Sequence, residues 1–191
     1  GKAMQGAVPL GKGAMAALLG LEATDALAVV KEAAQGDVCN FANVNASGQV
    51  VISGTIAAVE RALLIAKKHG AKRVLLLPVS APFHCALMQP AAEMMAEALA
   101  ESQMSDPIIP LIANVTAAEV ISADEARKLL VEQICSRVRW RESALYMNSQ
   151  GITDLFEIGH GINIFKQIRL QCHRFPAHGL DLPHCFIRSL R

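Results

Sequence analysis

Two helical stretches, each closed by a glycine, alternate with short apolar runs over residues 13–79, and this alternation limits the possible folds more than any other feature. Gly13-Ala14-Met15-Ala16-Ala17-Leu18-Leu19 is short, apolar and glycine-bounded, the pattern of a buried strand. Thr24 and Asp25 are placed to cap a helix that passes through Leu27, Val30 and Ala34 and stops at Gly36. Residues 38–43 and 49–53 read as strands joined by an Asn-Ala-Ser-Gly turn. Thr55 opens a second helix with Ile56, Val59, Leu63 and Ala66 on one face, and Gly70 ends it. Residues 73–79 form the next strand. The order β-α-β-β-α-β is the ferredoxin-like arrangement, which hosts many unrelated functions.

The bulk numbers exclude several classes. An apolar fraction of 52% over 191 residues is ample for a core. Eighteen basic residues against seventeen acidic ones leave a net charge of +1, which gives no electrostatic argument for nucleic acid or an anionic membrane as partner. No apolar run approaches the roughly 18 residues of a membrane span. Five cysteines, odd in number and without metal-type spacing, suit reduced thiols in a cytoplasmic protein. The start at Gly1-Lys2-Ala3-Met4-Gln5, without Met or a cap signal, reads as cut from a longer polypeptide.

The second half alternates strand and helix with too few strands to close a sheet of its own, like part of a larger α/β layer. A helix is expected over residues 88–100, with Ala91, Met94, Met95 and Leu99 on one face. A strand over 108–113 is entered through Pro107, and residues 115–121 are extended or irregular. A helix over 123–136 continues, after a break, over 141–148, and a strand over 153–158 runs into Gly159-His160-Gly161.

Between the halves lies Pro78-Val79-Ser80-Ala81-Pro82-Phe83-His84-Cys85-Ala86-Leu87-Met88. It places an ionisable ring at a strand-to-helix junction. His84 either packs in a loop against a carbonyl or serves as a general base at the mouth of a cleft, where loops after strand ends collect reacting groups. Pro82 and Phe83 would restrict the ring and shield it from water. No adjacent nucleophile is convincing. Neighbouring side chains diverge, which argues against a His84–Cys85 dyad; Ser80 lies in an extended stretch, and Ser53 lacks a Gly-x-Ser-x-Gly elbow.

Residues 79–88 resemble the catalytic-histidine segment of the malonyl-CoA:acyl-carrier-protein transacylases of bacterial fatty-acid synthesis. Other segments agree in the same order. Residues 1–5 look like the stretch after that family's substrate-binding arginine. Val8-Pro9 and residues 13–17 resemble its first small-subdomain strand, and residues 43–54 its substrate-facing hairpin. Asn114-Val115, residues 133–138 and Trp140 are similar to its large-subdomain elements. The resemblance implies a ferredoxin-like small subdomain (8–79) and the C-terminal part of an α/β-hydrolase-like large subdomain (1–7 and 80–191). It implies a ping-pong transfer of a malonyl group from coenzyme A to the phosphopantetheine thiol of acyl-carrier protein. Malonyl-CoA and acyl-carrier protein are then the partners, the coenzyme A thioester is substrate rather than cofactor, and no cofactor or metal is expected.

By the same resemblance His84 is the base, and the backbone carbonyl of Gln133 accepts its other ring N–H. By residue type alone, Gln133 would be a helix-surface residue. Phe83 would fill the volume of an α-methyl group, a discrimination of about 1–3 kcal/mol, or is a simple core phenylalanine. Met4 would line the acyl pocket; Asn43 and Asn45 would approach the thioester or pantetheine arm, or serve only as turn formers. Lys67, Lys68, Lys72 and Arg73 either complement a helix dipole or dock an acidic carrier protein or coenzyme A phosphates.

The sequence also departs from that pattern. The family's serine on its Gly-His-Ser-x-Gly elbow, its glutamine-bearing oxyanion loop and its malonate-clamping arginine would precede Gly1. Gly159-His160-Gly161 stands where the family has Gly-Pro-Gly or Gly-Ala-Gly, and the likeness weakens beyond Asn163. Cys172-His173 and His184-Cys185 fit no common zinc spacing. Two other readings remain open: a non-catalytic carrier-protein-binding module, and the acyltransferase portion of a polyketide synthase. On the transacylase reading, these 191 residues alone should not turn over malonyl-CoA. A malonyl-transfer assay on the isolated chain checks this, and turnover would contradict it.

Overall fold

In the computed structural model, which describes residues 2–158 and 177–180, the elements form a mixed α/β architecture. Helix α1 (Lys2–Gly6) leads to strand β1 (Gly13–Leu19) and helix α2 (Ala23–Ala34). A hairpin of β2 (Cys39–Ala46) and β3 (Gln49–Thr55) follows, then helix α3 (Ile56–Lys68) and strand β4 (Arg73–Leu76). The sheet order is β2-β3-β1-β4, and every neighbouring pair is antiparallel. The β1–β3 register runs from Gly13 opposite Thr55 to Leu19 opposite Gln49.

Strand periodicity gives the sheet two apolar faces. Ala14, Ala16 and Leu18 of β1, with Val50 and Ile52 of β3, pack under Ala26, Val29, Val30 and Ala33 of α2 and Ala58, Val59, Ala62 and Ile65 of α3. Leu18, Ile52, Val29 and Val59 are fully buried, and each such side chain contributes about 1.5–3 kcal/mol relative to exposure. The opposite face carries Met15, Ala17, Ala42 and Val51, against which Leu77 and Phe83 pack. One face therefore serves stability and the other meets the histidine loop.

Local chemistry explains most of the boundaries. The Thr55 hydroxyl accepts from Ala58 N at 3.3 Å and caps α3, whose last turn holds Lys67 and Lys68 at the negative end of the dipole. Arg61 of α3 reaches the end of α2, donating to the carbonyls of Ala33 (2.9 Å) and Ala34 (3.0 Å) and pairing with Asp37 (2.6 Å). Helix α2 departs from expectation at its start. The N-cap is Glu22 rather than Thr24 or Asp25, and it makes no side-chain cap, because its carboxylate accepts from the Ser47 hydroxyl at 2.7 Å in the β2–β3 turn.

The second half comprises a 3₁₀ turn at Ala86–Met88, α4 (Gln89–Glu101), β5 (Leu111–Ile112), β6 (Glu119–Val120), α5 (Ala123–Glu132), α6 (Trp140–Ser149), β7 (Leu155–Ile158) and β8 (Ala177–Leu180). β5 and β6 pair antiparallel; β7 and β8 pair parallel. The buried stripe beginning α4 is Met88, Ala91, Ala92 and Met95, which leaves Met94 exposed rather than on the core face.

Three expected elements shorten. β4 ends at Leu76 instead of residue 79, because Pro78 has no N–H and Val79 N turns back to Leu77 O at 2.9 Å; Leu77 N still reaches Met15 O at 2.8 Å. The strand expected over 108–113 is reduced to Leu111–Ile112. Pro107 and Pro110 remove ladder donors, and Ile108 and Ile109 are exposed. Helix α5 stops at Glu132 rather than 136, since Val138 is drawn onto the outer edge of β2, donating to Ala42 O (2.8 Å) and accepting from Val44 N (3.2 Å). The Gly159-His160-Gly161, Cys172-His173 and His184-Cys185 expectations lie outside the described residues.

Gly54 marks the closest approach in the sheet. A Cβ there would collide with the backbone carbonyl of Val38, whose oxygen already accepts from Thr55 N at 2.9 Å. Gly54→Ala should lower stability by about 1–3 kcal/mol, the usual range for overpacking. Urea denaturation measures it, and an unchanged midpoint would contradict the close approach.

Candidate active site

After β4 the chain passes over the start of β1. The buried Pro82 ring occupies the space where a Cβ on Gly13 would stand, so the missing side chain at Gly13 lets the loop sit down on the sheet. Phe83 then packs against both apolar clusters: Met15, Ala42 and Val51 on the sheet, and Met4, Val8, Met88 and Ile134 beside it. Met4 and Phe83, both half-buried, thus share one cluster.

His84 follows with φ of +59°, a left-handed conformation unusual for a residue with a side chain and unfavourable by about 1 kcal/mol. Such strain persists only where the surroundings over-determine it. Three contacts do so here. Cys85 Sγ donates to Pro82 O at 3.0 Å, Ala86 N donates to Asn40 Oδ1 at 3.1 Å, and Met88 N closes the 3₁₀ turn on Cys85 O at 3.0 Å.

The half-buried His84 ring meets the end of α5. Its Nδ1 lies 2.8 Å from the carbonyl oxygen of Gln133, so the Nδ1–H tautomer donates and Nε2 keeps its lone pair. Gln133 is the C-cap of α5, and its carbonyl is one of those a helix end leaves without an internal partner. Its side chain is engaged too: Asn114 Nδ2 donates to Gln133 Oε1 at 3.2 Å. Nε2 of His84 makes no hydrogen bond among the described residues. In its neutral form the imidazole is thereby held in one tautomer, with its outer nitrogen able to take a proton.

The expected site residues divide accordingly. His84 and Gln133 are brought together, and Met4 and Phe83 lie beside them in one cluster. Asn43 and Asn45 are half-buried on β2, where Asn43 bridges to Val138. From the same strand the Asn40 side chain reaches the histidine turn, a contact that sequence reasoning passed over. Its signal, an amide facing a loop N–H, depends on register and is invisible before the β2–β3 pairing is known.

The nearby nucleophile candidates are out of play. Cys85 is fully buried with its thiol committed to Pro82, and burial pushes that thiol up from its ordinary value. The same cause raises Cys39 to about 11. Ser53 is fully buried with its hydroxyl against the Cys85 thiol, and Ser80 is exposed. A surface groove of about 550 Å³ lined by Val8, Lys12, Thr55, Glu60 and Leu87 contains neither His84 nor Gln133. Among the described residues, no group of three or more His, Cys, Asp or Glu side chains converges as a metal site, and no helix is long and apolar enough to cross a membrane.

With this geometry in place, the relatives can be compared. No family model matches the chain. The malonyl CoA-acyl carrier protein transacylase of Escherichia coli strain K12 is 47% identical over 161 residues, which are 84% of this chain and 52% of that protein. The Bacillus subtilis strain 168 transacylase is 44% identical over 163 residues, 84% of this chain and 51% of that protein. This chain is a homologue of part of these transacylases. The structures agree. The acyl carrier protein S-malonyltransferase from Vibrio cholerae superposes with a TM-score of 0.92 at 41% identity, covering 94% of this chain and 59% of that one. A malonyl-transacylase solved in complex with its type II polyketide-synthase acyl-carrier protein superposes at 0.91 with 40% identity, over 94% of this chain and 58% of that one. The chain thus spans about half the length of the curated transacylases it matches.

A buried thiol with a raised pKa holds little thiolate near neutrality, and thiolate is the reactive form. Cys39 and Cys85 should therefore resist iodoacetamide at pH 8 in the folded chain and react once it is unfolded. Mass spectrometry of the alkylated peptides reads this. Labelling of Cys85 at the rate of a free thiol would reinstate it as a nucleophile.

Proposed function

We propose that this chain is the histidine-bearing part of a transferase that moves a malonyl group from coenzyme A to the phosphopantetheine thiol of acyl-carrier protein. The observation that carries the proposal is the 2.8 Å hydrogen bond between His84 Nδ1 and the Gln133 carbonyl, made by a strained histidine in a chain 47% identical to a transacylase segment. A Ser–His ping-pong route uses that imidazole twice. Nε2 takes the proton of a serine hydroxyl contributed from beyond these residues as the oxygen attacks the malonyl thioester. The C–S bond then breaks, and His84 returns the proton to the departing thiolate of coenzyme A. In the second half, Nε2 deprotonates the phosphopantetheine thiol, which attacks the acyl-serine ester, and the proton returns to the serine oxygen. The Gln133 carbonyl holds the tautomer throughout without adding a charge.

In this reading Phe83 limits the space beside the malonyl α-carbon, and Met4 lines the acyl pocket next to it. Asn43 and Asn45 flank the approach of the thioester or pantetheine arm. The antiparallel sheet with α2 and α3 is the ferredoxin-like small subdomain (8–79), and residues 1–7 and 80–191 belong to an α/β-hydrolase-like large subdomain. No cofactor is needed, since the thioester carries its own activation. Carrier protein is the second substrate, in keeping with a structural relative described in complex with one. The setting is the cytoplasm, which suits the free cysteines Cys39, Cys85 and Cys135.

A chimera tests the proposal. Residues 2–158 replace the corresponding segment of the Escherichia coli transacylase, and malonyl transfer from malonyl-CoA to holo acyl-carrier protein is followed. The chimera should transfer malonate, and His84→Ala should reduce kcat by about 10²–10⁴-fold, the usual contribution of a positioned general base. Transfer undiminished by His84→Ala would overturn the assignment.

A further inference from the structure

We propose that Asn114 is a positioning residue for His84, acting through the turn that presents the Gln133 carbonyl; the inference rests on reading His84 as the general base. Asn114 grips both ends of the connection between α5 and α6. Its side-chain Nδ2 donates to Gln133 Oε1 at 3.2 Å, and its main-chain carbonyl accepts from Arg139 N at 2.9 Å.

The two ends are not equally secured without it. At the α6 end, Arg139 also donates to Thr116 O (3.2 Å) and to Glu142 Oε1 (3.3 Å), and Arg137 pairs with the same carboxylate oxygen at 2.9 Å. Val138 is further tied to β2. At the α5 end, Gln133 N is spent on the Leu129 carbonyl within the helix, and the next backbone N–H groups make only short-range bonds, from Ile134 N to Val131 O and from Cys135 N to Glu132 O, with one longer reach from Cys135 Sγ to Gln89 Oε1 at 3.7 Å. The Gln133 side chain has one hydrogen bond among the described residues, the one from Asn114. That bond adds to the burial of Ile134 and the Cys135–Gln89 contact in opposing a swing of the Gln133 peptide. Hydrogen bonds weaken steeply with angle, so a modest rotation there would release Nδ1. The ring would then also populate the Nε2–H tautomer, which turns a donor instead of a lone pair towards an approaching hydroxyl.

The role separates from mere packing by a chemical rescue. Asn114→Ala removes the grip on the side chain. Asn114→Asp restores it, because the Gln133 amide can turn over and donate Nε2–H to the new carboxylate, while the main-chain bond to Arg139 survives in both variants.

The test is nitrogen-15 NMR of the His84 ring in the full chain, reading the Nδ1 and Nε2 shifts and the solvent exchange of the Nδ1 proton. Asn114→Ala should give averaged tautomer shifts and exchange about two- to tenfold faster, the range one hydrogen bond is worth. Asn114→Asp should return both towards wild type. Gln133→Ala, which keeps the carbonyl but not the side chain, should match Asn114→Ala, and the double variant should add nothing. Wild-type shifts and exchange in a folded Asn114→Ala chain, or equal loss in the Ala and Asp variants, would overturn the proposal. Should Asn114→Ala lose its folded spectrum, Gln133→Ala decides alone: a shifted tautomer supports the role and an unchanged one overturns it. No substrate enters the measurement, so failure of malonyl transfer would sink the acyltransferase reading and leave this result standing.

Discussion

The hydrogen bond from His84 to the Gln133 carbonyl joins groups 49 residues apart in the chain, and the packing on both sides of it is arranged to bring them together. Its net free energy is modest, about 0.5–1.5 kcal/mol for a bond of this kind. That is no more than offsets the left-handed backbone at His84. The bond therefore cannot hold the loop and helix together by itself. It needs them already in place, the loop by Cys85, Asn40 and the Pro82–Gly13 contact, and the carbonyl by the early end of α5.

Small residues make that placement possible. Gly13 leaves room for a proline ring, Ala17 and Ala42 leave room for Phe83 across the sheet, and Cys85 fills a fully buried slot as a compact apolar side chain that still donates to a carbonyl. A larger side chain at any of these points would lift the loop away from β1 and carry His84 from the end of α5. The face of the sheet against α2 and α3 tolerates ordinary aliphatic packing. The face against the loop is specified by volume, because a ring has to be delivered to a particular carbonyl.

What could be read in advance follows how local the deciding interaction is. β1 was legible as a glycine-bounded apolar run, the hairpin from its turn residues, and α3 from Thr55 and Gly70, because each signal lies within a few residues of the boundary it sets. The limits of α2 and α5 were set elsewhere, by Ser47 engaging Glu22 and by β2 recruiting Val138, whereas the strand expected over 108–113 is cut short by Pro107 and Pro110, residues already in view in the sequence. At the site, His84 stood out as an ionisable ring at a junction. Nothing in its own neighbourhood announced a positive φ, since no glycine or asparagine occupies the position. Gln133 was found only through resemblance, as a backbone carbonyl leaves no mark on residue identity. Asn40 and Asn114 were missed because their partners are visible only once register and turn are known.

A carbonyl in the place where a carboxylate might have stood has a physical consequence for the rest of the site. A half-buried carboxylate beside the ring would carry a charge that must be solvated or paired, and its attraction would hold the imidazole in position over a range of angles. A carbonyl brings no such charge, and it also brings no long-range pull. Its grip is a single directional bond, reinforced only by the negative end of the α5 dipole. Orientation must then come from the covalent and hydrogen-bonded frame behind the oxygen. This is why a neutral acceptor at Gln133 goes with a helix cut short, a turn pinned to β2 and a side-chain amide from Asn114 at its back. The charge is left out of the site, and the geometry is left to the backbone.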